Sequence, residues 1–266
     1  MMDLARLEAH LAGMRRVVLG FSGGVDSSLL ALAGVRALGR ERFIAVTGRS
    51  ASLAGDQWQS AEALADHFGI PLATVDTGEL DDPRYAANPE NRCYYCKAEL
   101  WRRLRAFADA RGFDTVIDGT NADDLGEHRP GLAAAAEHRV RSPLAELGWT
   151  KLDVRRAAQA LGLPNWEAPA APCLSSRIRY GLPVTPERLR QVERAEALLR
   201  GLGIGGDLRV RHLGDVARVE VRPEYFEHLD HHWLTVERGL RLLGFERVER
   251  DPRGYRRGAL LVLGAA

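Results

Sequence analysis

The stretch VVLGFSGGVDSS, Val17–Ser28, sets the fold of the N-terminal part of this chain. It opens with an apolar run short enough to be a buried strand, continues with Ser-Gly-Gly, and takes up helical periodicity from Asp26 onward. Glycine tolerates backbone angles that other residues resist, and it lets the chain approach a ligand closely. The first N–H groups of the following helix have no partner within it, and the positive end of the helix dipole lies behind them. The stretch therefore predicts a strand, a tight turn and a helix N-terminus that binds an anion such as phosphate.

The residue order in this turn separates it from other phosphate-binding loops. No lysine follows the glycines as in a Walker loop, and the pattern is not G-x-G-x-x-G. The segment SGGVDS, Ser22–Ser27, resembles the pyrophosphate loop (PP-loop) of ATP pyrophosphatases, which holds the β- and γ-phosphates of ATP. The resemblance implies that ATP is split between its α- and β-phosphates, AMP is placed on a substrate oxygen, and pyrophosphate is released. An ordinary glycine turn in an α/β protein is the alternative.

The composition is that of a globular protein with no bulk attraction to nucleic acid or membrane. The 266 residues are 45% hydrophobic and 27% charged, and the formal net charge is +1. No apolar run approaches the roughly 18 residues of a membrane helix. The N-terminal residues lack the basic and then apolar pattern of a signal peptide. We therefore expect a cytoplasmic location, with neither nucleic acid nor membrane as a partner.

Short apolar runs alternate with helical periodicity over the first part of the chain. This pattern predicts an α/β fold, a doubly wound parallel sheet with helices on both faces. Ser22, Thr47, Asp76 and Asp118 each lie where a predicted strand ends, so they should meet in one crevice at the carboxyl edge of the sheet. The chain divides by prediction into an ATP pyrophosphatase domain (1–163), a proline-rich linker that holds an active-site loop (164–184) and a smaller α+β domain (185–266).

Three cysteines lie in two polar, proline-containing segments, which we expect to be loops. Cys93 and Cys96 form a C-x-x-C, and Cys173 follows later in the chain. An odd number argues against a disulfide framework and for metal or catalysis. A zinc site lacks a fourth ligand with suitable spacing. Three thiolates fit an iron–sulfur cluster with one iron left for an outside ligand. Zinc and plain buried thiols remain open at this point.

Several motifs together resemble the LarE family of sulfur transferases over nearly the whole chain. They are SGGVDS at Ser22–Ser27, NPENRCYYCK at Asn88–Lys97, DGTNADD at Asp118–Asp124, RPG at Arg129–Gly131, APCLSSR at Ala171–Arg177, and a hairpin with RVRH at Arg209–His212 and ARVE at Ala217–Glu220. The resemblance implies adenylation of a pyridinium biscarboxylate mononucleotide and conversion of its carboxylates to thiocarboxylates, a step in making the nickel-pincer nucleotide cofactor. It also suggests a homo-oligomer, specifically a hexamer.

The family obtains its sulfur in two ways, and the cysteines decide which of them applies here. In one group the cysteine that matches Cys173 gives up its own sulfur and is left as dehydroalanine. In a second group three cysteines, which match Cys93, Cys96 and Cys173, hold a [4Fe–4S] cluster that carries the transferable sulfide. This chain has all three cysteines and so resembles the second group. The resemblance then makes Cys173 a cluster ligand.

The remaining site residues are predicted from the chemistry of an adenylating enzyme. The predicted ATP-binding residues are Phe21, Ser22, Gly23, Gly24, Asp26, Ser27, Ser28, Thr47, Gly119, Thr120, Asn121 and Asp123. Asp26 is also the predicted Mg²⁺ ligand, and a carboxylate that favours the helix dipole is its alternative. The predicted substrate-binding residues, chosen because guanidinium groups match phosphate, are Arg177, Arg209 and Arg211, with Glu196 near them. Solvated surface charges are the alternative for these four.

Four other functions remain as alternatives at this stage. One is sacrificial sulfur transfer from Cys173, and another is tRNA thiolation, for which the balanced charge offers no basic patch. Amide synthesis of the NAD or GMP synthetase kind uses the same loop but has no need of three loop cysteines. A non-enzymatic ATP-binding protein would require neither reactive cysteines nor iron.

Overall fold

The computed structural model describes residues 4–126, 130–169 and 171–256. Two compact units divide the chain, and each is described by itself: Met1–Glu79 with Asn91–Ala171, and Leu80–Glu90 with Pro172–Ala266. Compact units are not domain boundaries by themselves, so the boundaries at 163 and 184 stay predictions. No helix in the described parts of the chain is long and apolar enough to cross a membrane.

The first unit is built on a parallel four-stranded sheet. Its strands are β1 (Val17–Gly20), β2 (Phe43–Arg49), β3 (Leu72–Asp76) and β4 (Thr115–Ile117), in the order β3-β2-β1-β4. Its helices are α1 (Leu4–Ala12), α2 (Val25–Leu38), α3 (Gly55–His67), α5 (Arg92–Ala110), α6 (Pro130–Glu137), α7 (Pro143–Glu146) and α8 (Lys151–Ala160). The strand order reverses between β1 and β4, and sheets of this kind bind ligands outside the strand ends at such a point.

Helices cover both faces of this sheet, because successive side chains of a buried strand point to opposite faces. Val17 and Leu19 of β1 belong to an apolar cluster that includes side chains of α1, α2, α3 and α8. Val18 belongs to a second cluster with side chains of α5 and α6. The predicted doubly wound α/β fold is thus confirmed.

The second unit is smaller and has a mixed three-stranded sheet. Its elements are α4 (Pro83–Ala86), α9 (Pro186–Gly201), β5 (Leu208–His212), β6 (Val216–Val221), α10 (Phe226–His231), α11 (Trp233–Leu242) and β7 (Arg247–Arg250). β5 and β6 form the predicted antiparallel hairpin, and β7 pairs with β6 in parallel. A third apolar cluster holds α9, α10 and α11 against this sheet. The smaller α+β part expected near the C-terminus is therefore present.

Two local expectations for the first unit are wrong. The C-x-x-C lies within α5, whereas we expected a loop before a helix that begins near Ala98. Tyr94 already packs with Ala98 and Trp101 in the apolar cluster of α5, so the helical periodicity starts earlier than the sequence suggests. α6 begins at Pro130 in a stretch where no helix was expected, and proline is well suited to that first helical position. Arg129 of the RPG motif lies outside the described residues.

Candidate active site

A cavity of about 290 Å³ lies at the carboxyl edge of the first unit's sheet. It is lined by residues of β1, the PP-loop, α2, β2, α5, the segment after β4 and the first turn of α6. They include Phe21, Ser22, Asp26, Ser27, Gly48, Lys97, Trp101, Asp118, Gly119, Thr120, Asp124 and Gly131. Six of the predicted ATP-binding residues therefore meet in one place: Phe21, Ser22, Asp26, Ser27, Gly119 and Thr120.

The PP-loop borders this cavity in a backbone conformation that requires glycine. Gly23 has φ +73°, and a Cβ there would lie 2.7 Å from the Cβ of Ala61 in α3, so only glycine fits. Gly24 is the N-cap of α2, and no side chain caps that helix. The first N–H groups of α2 are consequently open to an anion. The Ser27 hydroxyl donates to Gly24 O (3.0 Å) and lies 3.2 Å from Ser22 Oγ.

The other predicted ATP-binding residues support the loop and do not line the cavity. Thr47 Oγ1 donates to Phe21 O at 2.8 Å and is buried. Ser28 is fully buried, and its hydroxyl donates to Gly23 O at 3.4 Å. Asn121 accepts from the N–H of Asp123 (3.0 Å) and donates to Asp26 Oδ1 (3.1 Å). These residues stand behind the groups that face the cavity.

Asp26 is held by two side chains from distant parts of the first unit. Asn121 donates to one carboxylate oxygen, and the Lys151 ammonium forms an ion pair with the other. Lys151 is the first residue of α8, and its N–H donates to Asp123 Oδ2 at 2.8 Å. The helix dipole makes a cation unfavourable at a helix N-terminus. The charge of Lys151 therefore does not stabilise α8, and its favourable partner is the Asp26 carboxylate. The sequence analysis missed Lys151, because the pairing spans 125 positions.

Lys97 is a second cation that the sequence analysis missed. It follows Cys96 on α5, lines the cavity, and its ammonium lies 5.0 Å from the centre of the Trp101 ring. The aliphatic part of the Lys97 side chain lies close to Gly131. A Cβ added at Gly131 would be 2.9 Å from Lys97 Cγ, so the contact requires glycine there. Its place directly after the C-x-x-C was the one signal available in the sequence.

Carboxylates at the cavity provide hard oxygen donors for Mg²⁺. Asp26, Asp118 and Asp124 all line it. Asp118 already accepts from Thr120 Oγ1 at 2.8 Å and from Ser142 Oγ at 2.7 Å, which fits a role in shaping the segment after β4. Among the described residues, Lys151 is the one cation paired with Asp26, and a divalent cation bound with phosphate oxygens would replace it. Its donor chemistry therefore fits Mg²⁺.

The cysteines occupy both units. Cys93 is exposed and Cys96 half-buried, and they lie three positions apart, on one face of α5 near its N-terminus. Cys173, half-buried, precedes the short 3₁₀ helix Leu174–Arg177 in the second unit. Within the described ranges, no three His, Cys, Asp or Glu side chains are grouped as ligands of a metal ion.

The predicted substrate-binding residues form a buried charged cluster in the second unit. The guanidinium of Arg177 donates to both oxygens of Glu196, at 2.9 and 3.0 Å, and Arg211 donates to Glu220 at 2.9 Å. All four side chains are less than one-tenth exposed, so the alternative of a solvated face is excluded for them. Arg211 Nη1 also reaches Ser176 O, at 3.0 Å, and so ties β5 to the Cys173 segment.

Arg209 is the third buried arginine of this cluster, and it has no ion-pair partner in the described part of the chain. It is 5% exposed, donates to its neighbour Leu208 O at 2.6 Å and lies over the Tyr255 ring at 5.1 Å. Burial, and then the charge of Arg177, lowers the pKa of Arg209. Three buried arginines face two glutamates, which leaves one positive charge in excess. A buried cation without a counter-ion is costly, and an anionic ligand would offset that cost.

Comparison with known proteins places this geometry in a family. A family model described as NAD synthase matches residues 2–122. An uncharacterized protein of Synechocystis sp. is 44% identical over 97% of this chain and 96% of its own length. An NH(3)-dependent NAD(+) synthetase of Methanosarcina mazei is 42% identical over 34% of this chain and 35% of its own length.

A further relative matches nearly the whole length of this chain. The pyridinium-3,5-bisthiocarboxylic acid mononucleotide synthase of Lactiplantibacillus plantarum is 36% identical over 256 residues, 96% of this chain and 92% of its own length. The match to the NAD(+) synthetase covers only about a third of this chain. The NAD synthase family model ends at residue 122, before Cys173 and the arginine cluster. The chain therefore belongs to the LarE family, the PP-loop family that includes this synthase, and it is an enzyme that uses ATP.

Proposed function

We propose that this enzyme is an ATP-dependent sulfur transferase that converts the carboxylates of a pyridinium-3,5-biscarboxylate mononucleotide into thiocarboxylates. The observation that carries the proposal is the likeness to the L. plantarum synthase over 96% of the chain. The likeness extends over nearly the whole chain. This chain also has the C-x-x-C, Cys173 and a buried arginine cluster, none of which an amide synthetase would need.

The first half of the reaction activates a carboxylate. A carboxylate oxygen of the substrate attacks the α-phosphorus of ATP, the bond to the β-phosphate oxygen breaks, and pyrophosphate leaves. The uncapped N-terminus of α2, with Ser22 and Ser27, would bind the leaving pyrophosphate. Lys97 is the cation of α5 that lines the same cavity and would stabilise charge on the transferred phosphate. Asp26 would hold Mg²⁺, which neutralises phosphate charge when it is bound.

The substrate itself needs cations for a phosphate and two carboxylates. Arg209 brings the uncompensated charge of the buried cluster, and we assign it the substrate phosphate together with Arg211 and Arg177. Glu196 would act by holding the Arg177 fork in one orientation. These roles follow from charge and burial within the second unit alone.

The second half of the reaction delivers sulfur. Sulfide attacks the acyl carbon, the bond to the AMP oxygen breaks, and AMP leaves with that oxygen, so the product is a thiocarboxylate. We assign the sulfide to a [4Fe–4S] cluster held by Cys93, Cys96 and Cys173, which would carry it on the iron that no cysteine binds. Three thiols are the right donors for such a cluster, and two of them are one helical turn apart on α5.

A sacrificial mechanism is the competing source of sulfur. The Cys173 thiolate would attack the acyl-adenylate to give a thioester and AMP; loss of the Cα proton and cleavage of the Cβ–S bond would then release the thiocarboxylate and leave dehydroalanine. Cys173 is half-buried, next to the Arg177 fork, which donates to its carbonyl at 2.9 Å. A thiol so placed is accessible enough for either role.

One experiment tests the function and its sulfur source together. The enzyme is reconstituted with iron and sulfide in the absence of oxygen, and it is then given Mg-ATP and the biscarboxylate mononucleotide. Mass spectrometry measures the masses of the nucleotide product and of the intact protein. We expect AMP, pyrophosphate and thiocarboxylate from a protein of unchanged mass, and loss of iron from Cys93→Ala. Loss of H₂S from each protein chain would identify Cys173 as the donor. Absence of AMP formation with this substrate would contradict the proposed function.

We also propose that the enzyme is a cytoplasmic homo-oligomer, hexameric as the family resemblance suggests. Leu234 and Leu242 support an assembly, because they are 81% and 82% exposed, eight positions apart on α11. In the proposed assembly a second copy of the chain would cover them, since exposed apolar surface often marks protein–protein contacts.

A further inference from the structure

The segment after α8 carries a half-buried asparagine, Asn165, whose amide contacts the PP-loop at Gly23. Asn165 Nδ2 donates to Gly23 O at 2.8 Å and lies 3.0 Å from Ser28 Oγ. The orientation of this amide is fixed by its partners. A carbonyl accepts only, so a flipped amide would place two acceptors 2.8 Å apart. The cost of this orientation is that Asn165 Oδ1 is buried without a hydrogen-bond partner among the described residues.

Asn165 is itself held firmly. Leu163 is fully buried, and Trp166 packs against the same apolar cluster as α2 and α8. The N–H of Trp166 donates to Leu163 O at 3.2 Å, which closes a turn around Asn165. A side chain fixed by anchored residues on both sides can impose an orientation on a glycine peptide that it contacts.

The contact with Gly23 O controls the direction of the next N–H group. The peptide bond is planar and trans, so the N–H of Gly24 points away from the carbonyl of Gly23. On the Gly24 side the N–H donates to the hydroxyl oxygen of Ser22 at 3.4 Å, and Ser22 lines the cavity. Asn165 and Ser22 therefore contact opposite sides of the Gly23–Gly24 peptide, Asn165 at its carbonyl and Ser22 at its N–H.

Two glycines in a row cannot hold this orientation by themselves. Glycine populates positive and negative φ about equally, so the peptide between Gly23 and Gly24 meets little steric resistance to rotation. A rotated peptide would present a carbonyl oxygen, and not an N–H group, to the phosphates. We propose that Asn165 is a positioning residue of the ATP site: with Ser28 it holds the Gly23 carbonyl at the back of the loop, so that the loop's N–H groups face the pyrophosphate of ATP. This inference rests on the proposed phosphate-binding role of the loop.

Ser28 holds the Gly23 carbonyl together with Asn165. Its side chain is fully buried, its N–H donates to Gly24 O at 2.9 Å within α2, and its hydroxyl bonds to Gly23 O and Asn165. Its contribution to ATP binding is the support of the loop from behind.

The test compares ATP with AMP, because only ATP carries the phosphates that the loop would bind. Mg-ATP and AMP are titrated calorimetrically into the wild-type enzyme, Asn165→Ala and Asn165→Asp, without the pyridinium substrate. If loss of the amide leaves about a tenth of the molecules with the loop correctly oriented, Asn165→Ala weakens ATP binding about tenfold. Asn165→Asp should weaken it more, because it sets a carboxylate against the Gly23 carbonyl. AMP affinity stays within about twofold in both variants.

The control is Gln159→Ala, which removes an exposed amide from α8 and should alter neither affinity. Asp has the shape of Asn, so Asn165→Asp keeps the test open if the alanine variant does not fold. Unchanged ATP affinity in the Asn165 variants would overturn the inference, and so would equal weakening of ATP and AMP. A wild-type enzyme that binds ATP no more tightly than AMP would instead remove the proposed phosphate role of the loop itself.

Discussion

The two units hold their charges in opposite ways. In the first, the ion pair between Asp26 and Lys151 is partly open to solvent, with side chains 20% and 37% exposed. In the second, the pairs of Arg177 with Glu196 and of Arg211 with Glu220 are at most 7% exposed. An exposed pair contributes little to stability and exchanges partners at small cost. A buried pair is expensive to break, because it leaves a charge without solvent or counter-ion.

This difference suits the two ligands. Under the proposed function, Asp26 would release Lys151 when a divalent cation binds, so a weak pair would be useful there. The arginine cluster would present one uncompensated guanidinium, that of Arg209, to an anion, while glutamates hold the other two arginines. The predictions below test this contrast in order of expected effect.

Breaking a buried pair should have the largest effect. Glu196→Ala strips Arg177 of both its carboxylate contacts and the N–H of Val210 of its 3.2 Å acceptor. We expect the free energy of unfolding to fall by about 3–5 kcal/mol. Denaturant titration measures this, and Glu237→Ala is the control, since its pair with Arg241 is exposed and should cost less than about 1 kcal/mol. Similar losses in the two variants would refute the contrast.

Acid should weaken the second unit through His212. The His212 ring is 3% exposed; it accepts from the N–H of Gly214 at 3.3 Å and lies 3.0 Å from Gln191 Oε1, so it is held neutral. Burial, and then the charge of Arg188, lowers the pKa of His212 from 6.5 to about 4, while Asp215 opposes the shift.

Because this pKa is depressed in the folded state, the stabilisation is complete above pH 6.5 and is lost as pH falls toward 4. We expect about 2 kcal/mol of loss over that interval, less than the full shift implies, since nearby solvent screens part of it. Unfolding curves at several pH values measure it, and His212→Gln should flatten this part of the profile. An equally steep profile in the variant would show that other groups cause the loss.

The sequence reveals the loop, the sheet and their common crevice because these depend on local signals. A glycine turn after an apolar run is read from neighbouring residues, and parallel strands bring their ends together in any α/β fold. The partners of Asp26 and Gly23 are different, because Lys151 and Asn165 lie 125 and 142 positions away. No periodicity joins such residues, and only the packing of α8 against α2 brings them to the loop.

The buried arginines show a second limit. Alternation in β5 predicts one solvated face, yet every residue of β5 is buried. The charged face is covered because Glu196 of α9 and Glu220 of β6 supply matching carboxylates. Charge pairing across elements can thus bury a face that its own sequence marks as polar.

The exposed pair of the first unit should show the smallest effect on stability and a clear effect on metal binding. Lys151→Gln removes the charge, shortens the side chain by one atom and keeps the backbone N–H bond to Asp123. We expect the free energy of unfolding to change by less than about 1 kcal/mol. Without nucleotide, the freed Asp26 carboxylate should bind Mn²⁺, a spectroscopic substitute for Mg²⁺, more tightly than in the wild type, as measured by electron paramagnetic resonance.

Lys151 must therefore be a competitor for Asp26 if the carboxylate is the metal ligand. Asp26→Asn is the matched control, because it should abolish the gain when combined with Lys151→Gln. Unchanged Mn²⁺ affinity in Lys151→Gln would assign Asp26 to the helix N-terminus alone, where its charge favours the dipole of α2. A large loss of stability would show that this pair, despite its exposure, behaves like the buried pairs of the second unit.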